Sequence, residues 1–191
     1  MPTILAGRHA TLERLDQTHH NGLQQAVADG ELWRLWYTAI PAPDAMRREI
    51  DRRLALQASG SMLPFAVRRA DNGALCGMTT YMNIDAANRR LEIGSTWYAA
   101  SAQRTAINTE CKLMLLTHAF ETLDCIAVEF RTHWMNHASR HAIARLGAKQ
   151  DGVLRNHMRM ADGSLRDTVV FSIIASEWAT VKSHLLHKLG R

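Results

Sequence analysis

Between Thr105 and Leu123 the chain carries no glycine or proline, and Ile107, Cys111, Leu115 and Ala119 recur at every fourth residue. Leu116, Phe120 and Leu123 widen that apolar stripe. The spacing predicts an amphipathic helix with one broad face that has to be covered. The segment just before it, RLEIGSTWY over 90–98, reads as a strand, and Gln103, Arg104, Thr105 and Asn108 open the helix. The first N–H groups of a helix have no partner within it and form a ready site for phosphate. A strand, a short turn and an anion-friendly helix start are therefore what the rest of the chain is built around.

At 191 residues the chain suits one core better than two, so one domain is expected over 1–174, with a terminal helix over 175–191 packed on it or at a dimer interface. With 47% apolar and 21% charged residues it has the composition of a soluble globular protein. No apolar run approaches the roughly 20 residues that span a bilayer, and the apolar stretch in MPTILAGRHATLERL is too short for a signal peptide. The cytoplasm is the expected location, with no membrane partner. Cys76, Cys111 and Cys125 are odd in number and lie in apolar surroundings, as reduced buried thiols do, and zinc-type spacing is absent. The net charge of +5 favours an anionic partner, with a polyanionic cofactor and a nucleic acid both open.

In chain order, Arg8–Leu15 alternates as a first strand, Asp16–Asp29 reads as a helix and Glu31–Tyr37 as a shorter helical piece. After Pro41 and Pro43, Asp44 is placed to cap a helix over Ala45–Ala58, whose core face is Met46, Ile50 and Leu54 and whose arginines read as a solvated face. Leu63–Arg69 and Ala74–Asn83 are strands around Asp71-Asn72-Gly73, and Arg89–Tyr98 follows as the third strand of a meander. Cys125–Thr132 is β-rich and, after a helical crossover, can lie parallel to the strand before the central helix. Asn136–Leu146 is a helix closed by Gly147, Val153–Met160 and Leu165–Ile174 form a hairpin around Ala161-Asp162-Gly163, and Ser176–Leu189 is the terminal helix. The order predicts an α+β fold with one βαβ step in a mixed sheet, its ligand at the strand ends that face the helix start.

Gln103-Arg104-Thr105-Ala106-Ile107-Asn108, continued by Thr109-Glu110, resembles the pyrophosphate loop of the GNAT (Gcn5-related) N-acetyltransferases, Gln/Arg-x-x-Gly-x-Gly/Ala. The Thr-Glu continuation, the strand Leu91-Glu92-Ile93-Gly94 and the run from Asn136 through Ser139-Arg140 to Leu146-Gly147-Ala148 are similar to the RimJ/RimL branch. The element order agrees from about Arg8 to Ile174. The resemblance implies a mixed, mostly antiparallel sheet of about seven strands flanked by helices, with the βαβ step at its centre. Two residues depart from the pattern. Ala106 replaces the commoner glycine, which suits a position already inside the helix, and Ile143 stands where many members present a tyrosine as general acid.

The resemblance also implies the chemistry, direct transfer of an acetyl group from acetyl-CoA to a primary amine. Backbone N–H groups over Gln103, Arg104, Thr105, Ala106, Ile107, Asn108 and Thr109 would hold the pyrophosphate, with Arg104 adding charge. Asn136 would hold the pantetheine arm, the strand ending in Trp97 and Tyr98 would pair with it, and an N–H near Trp97 would face the oxyanion. Glu92 is the candidate general base, acting through water, and Ser139 the candidate acid or relay. Competing readings make Glu92 a solvated strand residue or an ion-pair partner of Arg89 or Arg90, and Ser139 a cap of its helix. Trp33, Trp36 and Tyr81 are candidates to line the acceptor pocket, against core packing. His133, His137 and His141 invite a metal, but His133 falls outside the helix and no acidic residue completes the set, so no metal site is assigned.

Three functions follow in order. The first is an acetyl-CoA-dependent N-acetyltransferase acting on a small-molecule amine or a peptide N-terminus. Next comes a non-catalytic acyl-CoA-binding protein of the same fold, motivated by Ile143 and Ala106. A nucleic-acid-binding module ranks last, since it rests on the net charge and on Arg155, His157 and Arg159 with no aromatic residues interleaved.

Overall fold

In the computed structural model, which describes residues 4–191, eight strands form one sheet flanked by helices. The strands are β1 (Ile4–Ala6), β2 (Ala10–Arg14), β3 (Met62–Arg69), β4 (Leu75–Asp85), β5 (Arg90–Tyr98), β6 (Ala127–His133), β7 (Lys149–Arg159) and β8 (Leu165–Ile174). Their spatial order is β1-β2-β3-β4-β5-β6-β8-β7, and β5–β6 is the one parallel pair among them. The expected α+β architecture and central crossover are present, with eight strands where about seven were expected. The addition is the edge strand β1, joined to β2 through Gly7, where a Cβ would come within 2.4 Å of the Glu110 carboxyl.

The helices are α1 (His20–Ala28), α2 (Met46–Ala58), α3 (Ala106–Thr117), α4 (His137–Ala144) and α5 (Trp178–Lys188). On β4, Thr80 hydrogen-bonds Arg53 of α2 while its neighbour Thr79 hydrogen-bonds Lys112 of α3. Successive strand residues point to opposite faces, so α2 and α3 cover opposite sides of the sheet. The core against α3 is built from Tyr81, Leu91, Ile93, Val128, Phe130 and Ile173, all buried. Gly73 and Gly163 take positive φ (72° and 85°) in the two expected hairpins, and Gly147 (101°) follows α4.

Several local expectations are corrected. Of the helical piece at Glu31–Tyr37 only Leu32–Arg34 forms a 3-10 turn, with Glu31 in the left-handed region at φ 49° before it and Leu35 extended at ψ 109° after it. Asp44 caps nothing; it lies inside a 3-10 turn that Pro43 starts ahead of α2. The central helix does not stay α to its end but closes in a π turn over His118–Thr122.

The terminal helix α5 packs on its own domain: Trp178 stacks on Phe120 at 5.2 Å and donates to Glu121 at 2.8 Å, while Val181 and Leu185 are buried. Leu186 and Leu189, partly buried, also pack against the core. No helix is long and apolar enough to cross a membrane among the described residues.

Candidate active site

The parallel pair β5–β6 holds for three rungs only, Arg90↔Ala127, Leu91↔Val128 and Glu92↔Glu129. Beyond them β6 stays paired to β8 as far as His133, and β5 stays paired to β4 as far as Tyr98. The facing edges of β5 and β6 are therefore left open to each other, forming a wedge with Glu92 and Glu129 at its apex. Unpaired strand edges offer N–H and C=O groups to whatever extended chain enters.

At the apex the two carboxyls differ sharply. Glu129 accepts from Arg90 at 2.5 Å and from Arg131 at 2.9 Å; burial raises its pKa, but the two guanidiniums outweigh it and hold the group below its usual range. Glu92 is 5% exposed, accepts from Asn83 at 2.8 Å and lies 3.7 Å from Arg131. For Glu92 burial dominates and, with Glu129 opposite, raises its pKa despite Asn83 and Arg131. Pairs of ionisable groups driven apart in this way are what acid–base sites are made of. The competing reading of Glu92 as a partner of Arg89 or Arg90 does not hold, since Arg89 bonds Asp124 and Arg90 bonds Glu129. A cavity of about 190 Å³ adjoins the pair, lined by Asn83, Asp85, Arg90, Leu91, Glu92, Glu129 and Arg131.

The mouth of the wedge is aromatic. Trp36, 55% exposed, packs edge-on against His133 at 5.2 Å and against Tyr37 at 5.6 Å. His133 accepts from the Met135 N–H through Nδ1, which leaves its proton on Nε2, buried with no partner in the described residues. Trp33 is partly buried against the core. Tyr81 is a correction: fully buried, it points to the α3 side and donates to the Leu115 carbonyl at 2.5 Å, so it lines no acceptor pocket.

Thr105 caps α3, its hydroxyl accepting from the Ile107 N–H at 3.3 Å, and Ala106 is the first helical residue, where alanine is favourable. Arg104 takes φ 60° and is exposed, and Gln103 ties the loop to the strand end by donating to the Tyr98 carbonyl at 3.0 Å. Asn108 is half-buried on the first turn, whereas the Thr109 side chain turns inward toward Arg145, so only its backbone can face a phosphate. Asn136 caps α4, accepting from the Ser139 N–H at 3.0 Å, which is compatible with its Nδ2 serving a ligand. Four strand residues, about 13 Å, separate the Glu129 rung from His133, and Ser139 lies past that end on α4. Glu92 and Ser139 thus stand at opposite ends of the wedge with no bond between them.

Trp97 and Tyr98 are buried, and their indole N–H and phenol oxygen have no hydrogen-bond partner in the described residues. Burial pushes the Tyr98 phenol well up. Ala99 donates to the Cys76 carbonyl at 2.8 Å, so by the alternation of an antiparallel strand the Trp97 N–H also turns to β4, and those of Thr96 and Tyr98 turn into the wedge. Two N–H groups beside Trp97, those of Thr96 and Tyr98, thus face the open edge.

Sequence reasoning missed Asn83, Glu129 and Arg131 at the apex and Tyr37 at the mouth. It also missed the buried cations Arg53 and Lys112. Arg53 falls three residues after Ile50 and seven after Met46, on the apolar stripe, and that spacing was the available signal. Burial lowers the Lys112 pKa to about 8.

Residues 9–149 match the profile described as the Acetyltransferase (GNAT) domain. The Bacillus subtilis (strain 168) protein YdaF, named provisionally as a ribosomal N-acetyltransferase, is 34% identical over 107 residues. That match spans 56% of this chain and 57% of YdaF, little more than half of either protein. A GCN5-related N-acetyltransferase from Brucella melitensis superposes with a TM-score of 0.86 at 30% identity, covering 97% of this chain and 86% of the other. Mycobacterium smegmatis RimJ, solved in complex with CoA-disulfide, shares the fold at TM-score 0.78 and 23% identity, over 95% of this chain and 90% of its own.

Proposed function

Because the chain belongs to the GNAT family of acetyltransferases, we propose that it is an acetyl-CoA-dependent N-acetyltransferase that transfers an acetyl group directly to a primary amine. The observation that carries this reading is the wedge: β5 and β6 part after Glu92 and Glu129, and the capped start of α3 follows directly on β5. The residues fit the cofactor. The free N–H groups at the start of α3 and the side chain of Arg104 suit a pyrophosphate, and the open strand edge with Asn136 Nδ2 suits a pantetheine amide chain. The cofactor supplies an activated thioester.

Glu92 then receives the proton of the incoming ammonium through water held in the apex cavity, its raised pKa bringing it closer to the working range. The wedge-side N–H groups of Thr96 and Tyr98 face the developing oxyanion. Ser139, whose backbone N–H is bound to Asn136, offers its hydroxyl to the leaving sulfur, in place of the tyrosine that Ile143 replaces. The name of the Bacillus relative, a ribosomal N-acetyltransferase, supports an amine of a ribosomal protein as one acceptor class beside small amines. The three buried free cysteines suit a reducing compartment, the cytoplasm.

Calorimetric titration with acetyl-CoA at two salt concentrations, followed by CoA release with a panel of short peptides and small amines, tests the reading. Micromolar binding at one site per chain and release with at least one acceptor support it. Absence of binding overturns it, and binding without release from any acceptor leaves the non-catalytic alternative.

A further inference from the structure

Two buried cations that the transfer chemistry does not use meet at one short stretch of β5. Met78 pairs with Trp97 and Thr80 with Gly94, so Ser95 and Thr96 together stand opposite the single residue Thr79. This is a β-bulge, with Ser95 at φ 47°. From the α2 side, Arg53 donates to the Ser95 carbonyl at 3.2 and 3.3 Å and to the Thr80 hydroxyl at 2.8 Å, while Glu49 holds its Nε at 2.7 Å. From the α3 side, Lys112 donates to the Thr79 and Thr96 hydroxyls at 2.9 Å each, and these hydroxyls bond one another at 2.8 Å.

Arg53 is 2% exposed and Lys112 5%, and Lys112 forms no ion pair in the described residues. An ammonium buried without a counter-charge is costly, and an apolar side chain of similar size would serve packing better. What the two cations share is the bulge. It lies between Glu92 and Trp97, where β5 leaves β6, and it sets which N–H groups turn into the wedge. We propose that Arg53 and Lys112 are positioning residues that clamp the β5 bulge from opposite faces of the sheet, holding the Thr96 and Tyr98 N–H groups where the acetyl oxygen needs them. The chemical role rests on the acetyl-transfer reading; the clamp itself does not.

Lys112→Met keeps the length of the side chain and leaves the two hydroxyls to each other. With an acceptor identified by the CoA-release panel, kcat should fall about 100-fold while KM for acetyl-CoA stays within about threefold, since the pyrophosphate site is untouched. Arg53→Met should behave alike, Arg53→Lys should recover part of the loss, and the double variant should be far less than multiplicative because both act on one bulge. Thr96→Val reads the same clamp from its other end if Lys112→Met folds poorly. A folded variant with wild-type kcat overturns the proposal.

Hydrogen exchange of the Trp97 and Ala99 amides, which turn to β4 just past the bulge, needs no turnover and separates the two claims. Faster exchange confined to β5 in Lys112→Met supports the clamp even if the wild type acetylates nothing. Unchanged exchange, or a uniform increase throughout the sheet, removes it.

Discussion

Glu92 faces Glu129 across the last rung that β5 and β6 share, and the two carboxyls are driven in opposite directions. Glu129 is paired closely with Arg90 and Arg131, whereas Glu92 meets Arg131 only at 3.7 Å, which makes Glu92 rather than Glu129 the proposed base.

Glu92→Gln should therefore lower turnover about 100-fold or more while affinity for acetyl-CoA holds, and the acid limb of the wild-type kcat/KM profile should lie above the ordinary carboxylate range. A raised folded-state pKa means that the folded protein holds this proton more firmly than the unfolded chain. The associated stability is present below the unfolded pKa and is lost as pH rises through the folded one. Glu92→Gln removes that loss, so at neutral pH the variant should resist urea better than the wild type. Equal turnover, or lower stability at neutral pH, would take Glu92 out of the role.

At the cradle, Asn108 is half-buried on the first turn of α3, close to the capped N–H groups. Asn108→Glu sets a negative charge beside the expected pyrophosphate and should weaken acetyl-CoA binding about tenfold or more, roughly 1.4 kcal/mol or above. Melting temperature should barely change, because a carboxylate in the first turn suits the helix dipole. Calorimetry with unaltered affinity would move the phosphate site elsewhere.

Trp36 is too exposed to be a core residue, yet it packs on His133 at the mouth. Trp36→Ala should raise the KM for the amine about fivefold or more, on the scale of one exposed aromatic contact, and leave the KM for acetyl-CoA and the melting temperature nearly alone. An equal effect on both KM values would place Trp36 at the cofactor instead.

Much of the frame was legible because it rests on local signals. The stripe from Ile107 to Phe120 marks α3, Asn72-Gly73 and Asp162-Gly163 mark the hairpins, and Thr105 and Asn136 mark helix starts that the structure caps with those side chains. Residues whose roles depend on distant partners were not legible. Arg53 looks like one more arginine on a solvated face until Thr80 and Ser95 arrive from 27 and 42 residues further along the chain. Tyr81 illustrates the parity problem: one step along β4 from Thr80, it belongs to the opposite face, and no local pattern says which face holds the acceptor. The β5 bulge is equally silent, since Gly94-Ser95-Thr96 continues a plausible strand while the structure shifts its register there.

Lys112 gives a stability signature that no surface lysine would. Burial lowers its pKa from 10.5 to about 8, so the unfolded chain binds more protons than the folded one between those values. Stability contributed by such a group is present above the unfolded pKa and is lost as pH falls through the folded one. Urea unfolding followed from pH 8 to pH 10 should therefore show the wild type gaining stability relative to Lys112→Met, by an amount on the order of 3 kcal/mol across the full window. Parallel pH dependences for the two proteins would mean that Lys112 is solvated in the folded chain, and the ammonium could not then be gripping Thr79 and Thr96 from within the core.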